Sequence, residues 1–192
     1  MTDNIKRCGW AKDPLMHEYH DLEWGKPIHD DTEHFEFITL EGAQAGLSWA
    51  TVLKKRENYR KAFKGFDPSK IAKFKQKEID RLLGNEGIIR NRLKIESTVS
   101  NAIAFLAIRK EFGSFDEYIW RFVGGKPLVN SPESLKDIPA RNDLSDLISK
   151  DLKKRGFRFV GSTIVYAYLQ AAGLVNDHEV SCFRYGQLKG LK

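Results

Sequence analysis

Apolar residues recur along most of this chain at helical spacing. Ile95, Val99, Ala102, Ile103 and Leu106 fall at i, i+4, i+7, i+8 and i+11, which predicts one apolar stripe on a long helix. Leu144, Leu147, Ile148 and Leu152 predict a second helix. Val160, Ile164, Val165, Tyr168 and Leu169 predict a third. Asp31-Thr32 reads as the start of another, running through Phe35, Ile38 and Leu40. Strand-like alternation is nearly absent, since Phe157-Arg158-Phe159 is too short to count. The expected class is therefore all-α, with many short helices.

Turn-forming residues punctuate the pattern at Asp67-Pro68, Gly84-Asn85, Gly124-Gly125-Lys126-Pro127 and Ser131-Pro132. Region 124–142 holds three of the six prolines and is the most loop-like stretch. It predicts a division into two helical lobes of one unit spanning 1–192. A terminal lobe comprises about 1–35 and 143–192, and a middle lobe about 36–142. No internal repeat is visible.

Composition narrows the partners. Hydrophobic residues make up 41% of the 192 positions, enough for a packed core. The net charge of +6 suits a polyanionic partner such as nucleic acid, although a basic surface alone has the same balance. No run approaches the roughly 18 apolar residues of a membrane span. The start MTDNIKRCGW lacks the apolar core of an export signal. Two cysteines, Cys8 and Cys182, are not a secreted disulfide framework, so a cytoplasmic protein is expected.

Each cysteine has a histidine near it. His178 precedes Cys182 by four positions, one helical turn. His20 follows Cys8, but His17 lies one turn away and competes for the pairing on spacing alone. Two thiolates and two imidazoles complete a tetrahedral structural zinc set with no open position for water. Such a metal would tie the two ends of the chain together and take no part in chemistry. Four unrelated residues would read the same way. His29 and His34 are expected to be ordinary surface or core residues.

A basic segment, Lys153-Lys154-Arg155-Gly156-Phe157-Arg158-Phe159-Val160-Gly161-Ser162-Thr163, joins two of the predicted helices. Gly156 can end the first in a left-handed conformation. Gly161 lets the backbone turn into the second, which Ser162 or Thr163 can cap. The amides opening that second helix, with Lys154 and Arg155 beside them, form an anion site suited to a DNA phosphate. This is the pattern of a helix-hairpin-helix unit, which holds the backbone and does not read sequence. A plain helical hairpin with a solvated basic end is the alternative.

Trp10, Trp24 and Trp49 all lie in the first 50 residues, with Tyr19 among them. Glu41 sits in an apolar helical stretch, where a carboxylate requires a partner or a purpose. Aromatic faces with one acceptor suit an extruded purine, and a cationic N-alkylated base gains further from ring faces. Core tryptophans and a Glu41–Arg pair would explain the same residues.

Blocks such as Arg7-Cys8-Gly9-Trp10, Tyr19-His20-Asp21, Leu40-Glu41-Gly42, Gln44-Ala45-Gly46-Leu47-Ser48-Trp49, Gly87-Ile88-Ile89-Arg90, Phe159-Val160-Gly161 and Asn176-Asp177-His178 run almost from end to end. They resemble the bacterial 3-methyladenine DNA glycosylase I family. The resemblance implies a helix-hairpin-helix glycosylase fold that is stapled by one structural zinc on Cys8, His20, His178 and Cys182. It implies Glu41 as the recognition carboxylate, Tyr19 and Trp49 as stacking rings and Trp10 near the pocket. Gly46 and Leu47 would fill the gap left by the flipped nucleotide.

The implied activity is hydrolysis of the N-glycosidic bond of 3-methyladenine in double-stranded DNA; a monomer is expected because one duplex needs one reading head. A broader lesion range, or a non-enzymatic DNA-binding module, stays open. Met16 stands where family members often carry tyrosine, so a hydroxyl contact is lost while packing on a base survives. The spacing from Gly9-Trp10 to Asp13 is about one residue shorter than in some relatives. Strand-cleaving members of the wider superfamily place a lysine where this chain has Thr163, which implies a monofunctional enzyme. Asp177 is the nearest candidate for the superfamily's aspartate, a residue this family does without.

Overall fold

The computed structural model describes residues 5–190. Among them eleven α-helices follow one another: α1 (Pro14–Leu22), α2 (Asp31–Gln44), α3 (Trp49–Leu53), α4 (Arg56–Ala62), α5 (Pro68–Ile71), α6 (Gln76–Leu83), α7 (Arg92–Phe112), α8 (Phe115–Trp120), α9 (Asp143–Lys154), α10 (Ser162–Ala171) and α11 (Phe183–Leu188). None is long and apolar enough to cross a membrane. Two short parallel strands, β1 (Leu128–Val129) and β2 (Val175–Asn176), pair Leu128 with Val175 and Val129 with Asn176. This contact joins the loop-like region to the segment after α10, and two-residue strands leave no alternation for a sequence to display.

Local chemistry explains most of the helix starts. Asp13, Asp30, Ser48, Asn91, Ser114 and Asn142 each accept a hydrogen bond from an amide of the first turn that follows. Asp30 takes two, from Thr32 and Glu33. Gly156 follows α9 with φ +96°, a left-handed conformation that glycine adopts without penalty.

The spine is α2. Every residue from His34 to Ala43 is buried, so this stretch has no solvent face. It packs against α10 on one side and α7 and α8 on another. The boundary near residue 35 falls inside it. His34, wholly buried, holds Tyr168 Oη at 2.7 Å and Asp116 at 3.1 Å, which makes it a satisfied core histidine; His29 is an exposed partner of Asp116.

Two expected stripe positions turn outward. Ile103 and Leu147 are each 56% exposed. In their place, polar residues are buried where they brace the hairpin between α9 and α10. Asn101 donates to Arg158 O at 2.9 Å and accepts from Arg158 N at 2.8 Å, and Ser149 Oγ donates to Val160 O at 2.6 Å. A backbone amide and two carbonyls that leave a helix and enter a buried turn require such partners.

Gly173 follows α10 at φ +74°, and a Cβ there would sit 2.4 Å from the backbone of Lys26 and Pro27. Backbone cannot yield as a side-chain tip can. Gly173→Ala is expected to destabilise the protein by more than about 3 kcal/mol, read as the shift in urea midpoint. A midpoint equal to wild type would remove this packing claim.

Candidate active site and metal centre

Two carboxylates lie buried on α2, and their surroundings differ. Glu36 is held by Arg56 and Arg60, and Arg56 also reaches Glu23. Glu41, 4% exposed, has no basic partner among the described residues, and its Oε2 is buried without a hydrogen bond. Burial with no compensating charge pushes its carboxyl up to about 8. The pairing of Glu41 with an arginine is thus excluded by geometry, because the nearby guanidinium serves Glu36 and Glu23.

Glu41 opens into a cleft of about 260 Å³ lined by Trp10, Met16, Tyr19, Trp24, Gln44, Trp49, Leu135, Ile138, Ala167 and Gln170. That is below the ~300 Å³ at which clefts for drug-sized ligands begin, and it suits a single nucleobase. Asp13 caps α1 through Met16 N at 3.0 Å and so sets the rotation that carries Met16 and Tyr19 to one side. The Tyr19 and Trp49 rings lie 5.4 Å apart at 50°, and Trp10 and Trp24 lie 5.0 Å apart at 75°. Tyr19 Oη and Trp49 Nε1 are also buried. Burial, with Glu41 and Glu23 nearby, pushes the Tyr19 phenol well above its ordinary value and keeps it neutral. Trp49 Nε1 lies close enough to act on the Tyr19 phenol, and Glu41 Oε2, the unpaired polar atom of this aromatic cleft, marks a site built for a polar ligand.

The five residues expected at the base, Glu41, Tyr19, Trp49, Trp10 and Met16, therefore meet in one cleft. Leu135 and Ile138 come from the loop-like region and were not anticipated. Neither were Gln44, Ala167 and Gln170, whereas Trp24 joins the aromatic group the sequence had gathered. For Ala167 and Gln170 the spacing i, i+3 on α10 was the available signal.

Gly46 and Leu47 form the exposed tip between α2 and α3, with Leu47 42% exposed. Lys94 Nζ, donating to Ala43 O at 2.8 Å and Ala45 O at 2.7 Å, holds the end of α2 beneath this tip.

At the hairpin, Lys154 and Thr163 are exposed and Gly161 and Ser162 half-buried. Two expectations require correction. Neither Ser162 nor Thr163 caps α10; Gly161 is the N-cap residue, with no side-chain bond. The first-turn amides of α10 thus have no side-chain acceptor. Arg155 is not available to a phosphate, because its guanidinium is bound by Asp151 at 2.8 Å and Glu111 at 2.7 Å and lies over Phe112 and Tyr118. Aromatic and acidic neighbours on α7 and α8, distant in sequence, claim it.

Cys8, His20, His178 and Cys182 are all buried, and one ligand atom from each lies within 4.8 Å of the others. Spacing left His17 and His20 open, and packing selects His20. His20 Nδ1 meets Asp21 Oδ1 at 2.8 Å and His178 Nδ1 meets Asn176 Oδ1 at 2.9 Å, which turns each Nε2 inward. His178 Nε2 is buried with no partner. Burial, with His20 beside it, pushes His178 down to about 3, so its imidazole is neutral and its lone pair free. Cys182 ionises readily because Cys8 hydrogen-bonds its sulfur, and Cys8 is correspondingly held up. A buried S₂N₂ set with an orphaned imidazole nitrogen fits a metal ion.

Known proteins share this fold and much of this sequence. Residues 10–185 match the methyladenine glycosylase family. DNA-3-methyladenine glycosylase 1 of Escherichia coli is 50% identical over 182 residues, 94% of this chain and 97% of that one. DNA-3-methyladenine glycosylase of Haemophilus influenzae is 51% identical over 92% of this chain and 96% of its own. A crystal structure of 3-methyladenine DNA glycosylase I superposes with a TM-score of 0.90 at 53% identity, covering 93% of this chain and 98% of that one. The Staphylococcus aureus enzyme, solved for its recognition of 3-methyladenine, gives 0.88 at 41% identity over 90% of this chain and 92% of its own. Identity of about half across nearly the whole length, with the same fold, means that this chain belongs to the methyladenine glycosylase family.

Proposed function

We propose that the whole chain acts as one DNA glycosylase unit of two helical lobes that excises 3-methyladenine from alkylated duplex DNA. The observation that carries this is the buried, unpartnered Glu41 carboxyl among four aromatic rings. A packing residue would have a partner or be apolar. A carboxylate that accepts from an exocyclic amine, among rings that stack on a cation, has a use only when a base enters.

Methylation at N3 makes the attached adenine a cation. When the C1′–N9 bond breaks, its electron pair goes to N9 and the base departs neutral. Water adds to C1′ and loses its proton, leaving an abasic site. Glu41 accepts from the amine edge of the base and its charge favours the developing cation at the sugar. Tyr19 and Trp49 stack on the base, and Trp10 and Met16 close the cleft. With Thr163 in place of a lysine, no amine is poised to cleave the strand, so the enzyme is monofunctional.

Leu47 and Gly46 fill the gap in the duplex. Lys154, Gly156, Gly161, Ser162 and Thr163 meet the phosphates; a Cβ at Gly161 would meet nothing within 4 Å, so the start of α10 is open to a partner's approach. A zinc ion held by Cys8, His20, His178 and Cys182 supplies structural cross-linking only. We read the protein as a monomer, since one lesion requires one reading head, working in the bacterial cytoplasm at the nucleoid.

Free base released from methylated DNA, separated chromatographically, tests the reading. The expected product is 3-methyladenine with little 7-methylguanine. No release by folded, metal-loaded protein would reject it. For the hairpin, Lys154→Ala is expected to flatten the slope of log affinity against log salt by about one. An unchanged slope would take Lys154 out of the interface.

A further inference from the structure

Asp177 is 2% exposed and none of the steps above uses it. It is also richly bonded. Its Oδ1 accepts from Asn130 Nδ2 at 2.6 Å, and its Oδ2 accepts from Tyr166 Oη at 2.6 Å and Gln170 Nε2 at 2.8 Å. Tyr166 and Gln170 stand one turn apart on α10, so one carboxylate gathers both. Asn130 follows β1 and is fixed to β2 through its own amide, which donates to Asn176 O at 3.1 Å. Three donors from two separate segments hold the carboxylate in place.

Gln170 is the member of this group that also lines the base cleft. A carboxylate cannot donate, so the amide nitrogen of Gln170 must face Asp177. The Gln170 carbonyl oxygen is left for another partner. Gln44, the other cleft amide, has no such tether among the described residues and can present either end.

We infer that Asp177 is a positioning residue that locks Gln170 with its carbonyl toward the extruded base, making Gln170 a determinant of base selectivity. This inference rests on the glycosylase reading. A locked acceptor, together with Glu41, gives the cleft two acceptors of fixed direction. An amino-bearing adenine supplies donors to such a wall. A 6-oxo purine presents its own acceptor and is repelled, and an unmet acceptor pair discriminates more sharply than a missing contact does.

The test compares wild type, Asp177→Asn, Gln170→Met and Tyr166→Phe. The readouts are excision of 3-methyladenine and 7-methylguanine from DNA, and binding of the free bases by quenching of the cleft tryptophans. In Asp177→Asn the substituted amide can donate as well as accept, so the Gln170 amide can turn over. The ratio of 3-methyladenine to 7-methylguanine released by that variant is expected to fall about tenfold or more. Gln170→Met keeps the volume, removes the acceptor and leaves the four residues of the metal set in place. It is expected to weaken 3-methyladenine binding by about the same factor and to lower the excision ratio with it. Tyr166→Phe leaves the Gln170–Asp177 bond intact and should keep the wild-type ratio.

Thermal midpoints and metal content are followed alongside. A purely structural Asp177 would lower the midpoint and both excision rates together with the ratio unchanged, and that result overturns the inference. Wild-type selectivity in Gln170→Met overturns it even if Asp177→Asn does not fold. Failure of wild type itself to release 3-methyladenine would instead reject the glycosylase reading.

Discussion

Glu41→Gln is expected to slow 3-methyladenine release by ~10²–10³ while making the protein harder to unfold at neutral pH. The two effects share one cause. Desolvation pushes the carboxyl from 4.5 up to about 8. Between those values the folded state holds a proton that the unfolded state has released. Stability from this group is fully present below about pH 4.5 and is lost as pH rises through about 8, by up to ~1.4 kcal/mol per unit. Glutamine has no proton to lose. The variant should therefore melt higher than wild type at pH 7–8, by about 2–4 °C for each kcal/mol recovered, and the gap should close near pH 4.

Activity moves the other way. A cationic base selects the ionised carboxylate, so its binding releases a proton below about pH 8. Affinity of the wild type for the methylated site should rise up to about tenfold per pH unit until roughly pH 8, then level off. The amide cannot ionise and offers a donor toward the amine of the base. A loss of ~10²–10³ in excision rate follows from removing one group aimed at a charge. Calorimetry against pH, with single-turnover base release, checks both halves. A variant that keeps its rate, or that shows no pH-dependent gain in melting temperature, removes Glu41 from the proposed role.

Loss of a metal ligand is expected to have the second large effect. Cys182→Ala should leave the protein without bound metal, lower its melting temperature by about 10 °C or more and impair base release. Metal loss belongs among the few single changes that cost more than ~4 kcal/mol. Other ties between the ends moderate the damage. Phe183 N donates to Lys6 O at 3.0 Å and Gly9 N donates to Glu179 Oε1 at 2.6 Å.

The effect on chemistry is indirect, through the rings. Trp24 packs on His178 at 4.4 Å, Trp10 on His20 at 5.3 Å, and Tyr19 precedes His20 on α1. Two of the aromatic walls of the cleft thus lean on histidines of the candidate metal set, and Tyr19 shares α1 with one of them. Metal stoichiometry by elemental analysis, with scanning calorimetry, is the check. A variant that melts like wild type, or still binds one equivalent, would remove the staple.

Helices and their starts were legible because the signals are local. A cap reaches two or three residues, and a stripe repeats every turn, so the helix beginning at Asp31-Thr32 and the helices that carry Leu144 to Leu152 and Ile164 to Leu169 could be placed before any packing was known. The metal set was less legible, since two thiols and two imidazoles suit a metal but four unrelated residues read the same way until the fold brings them together. The resemblance then chose among alternatives that spacing left open, as with His20 over His17.

What only the tertiary structure decided concerns partners far apart in the chain. Arg56 goes to Glu36 and Glu23 and leaves Glu41 alone; residue types do not distinguish two glutamates on one helix. Arg155 reads as a phosphate ligand until Glu111, Phe112 and Tyr118 claim it. Leu135 and Ile138 read as loop until the β1–β2 pairing brings their segment against the cleft. Local spacing determines which side chains share a face, but which face meets which charge is settled by packing between segments, where desolvation and pairing act together.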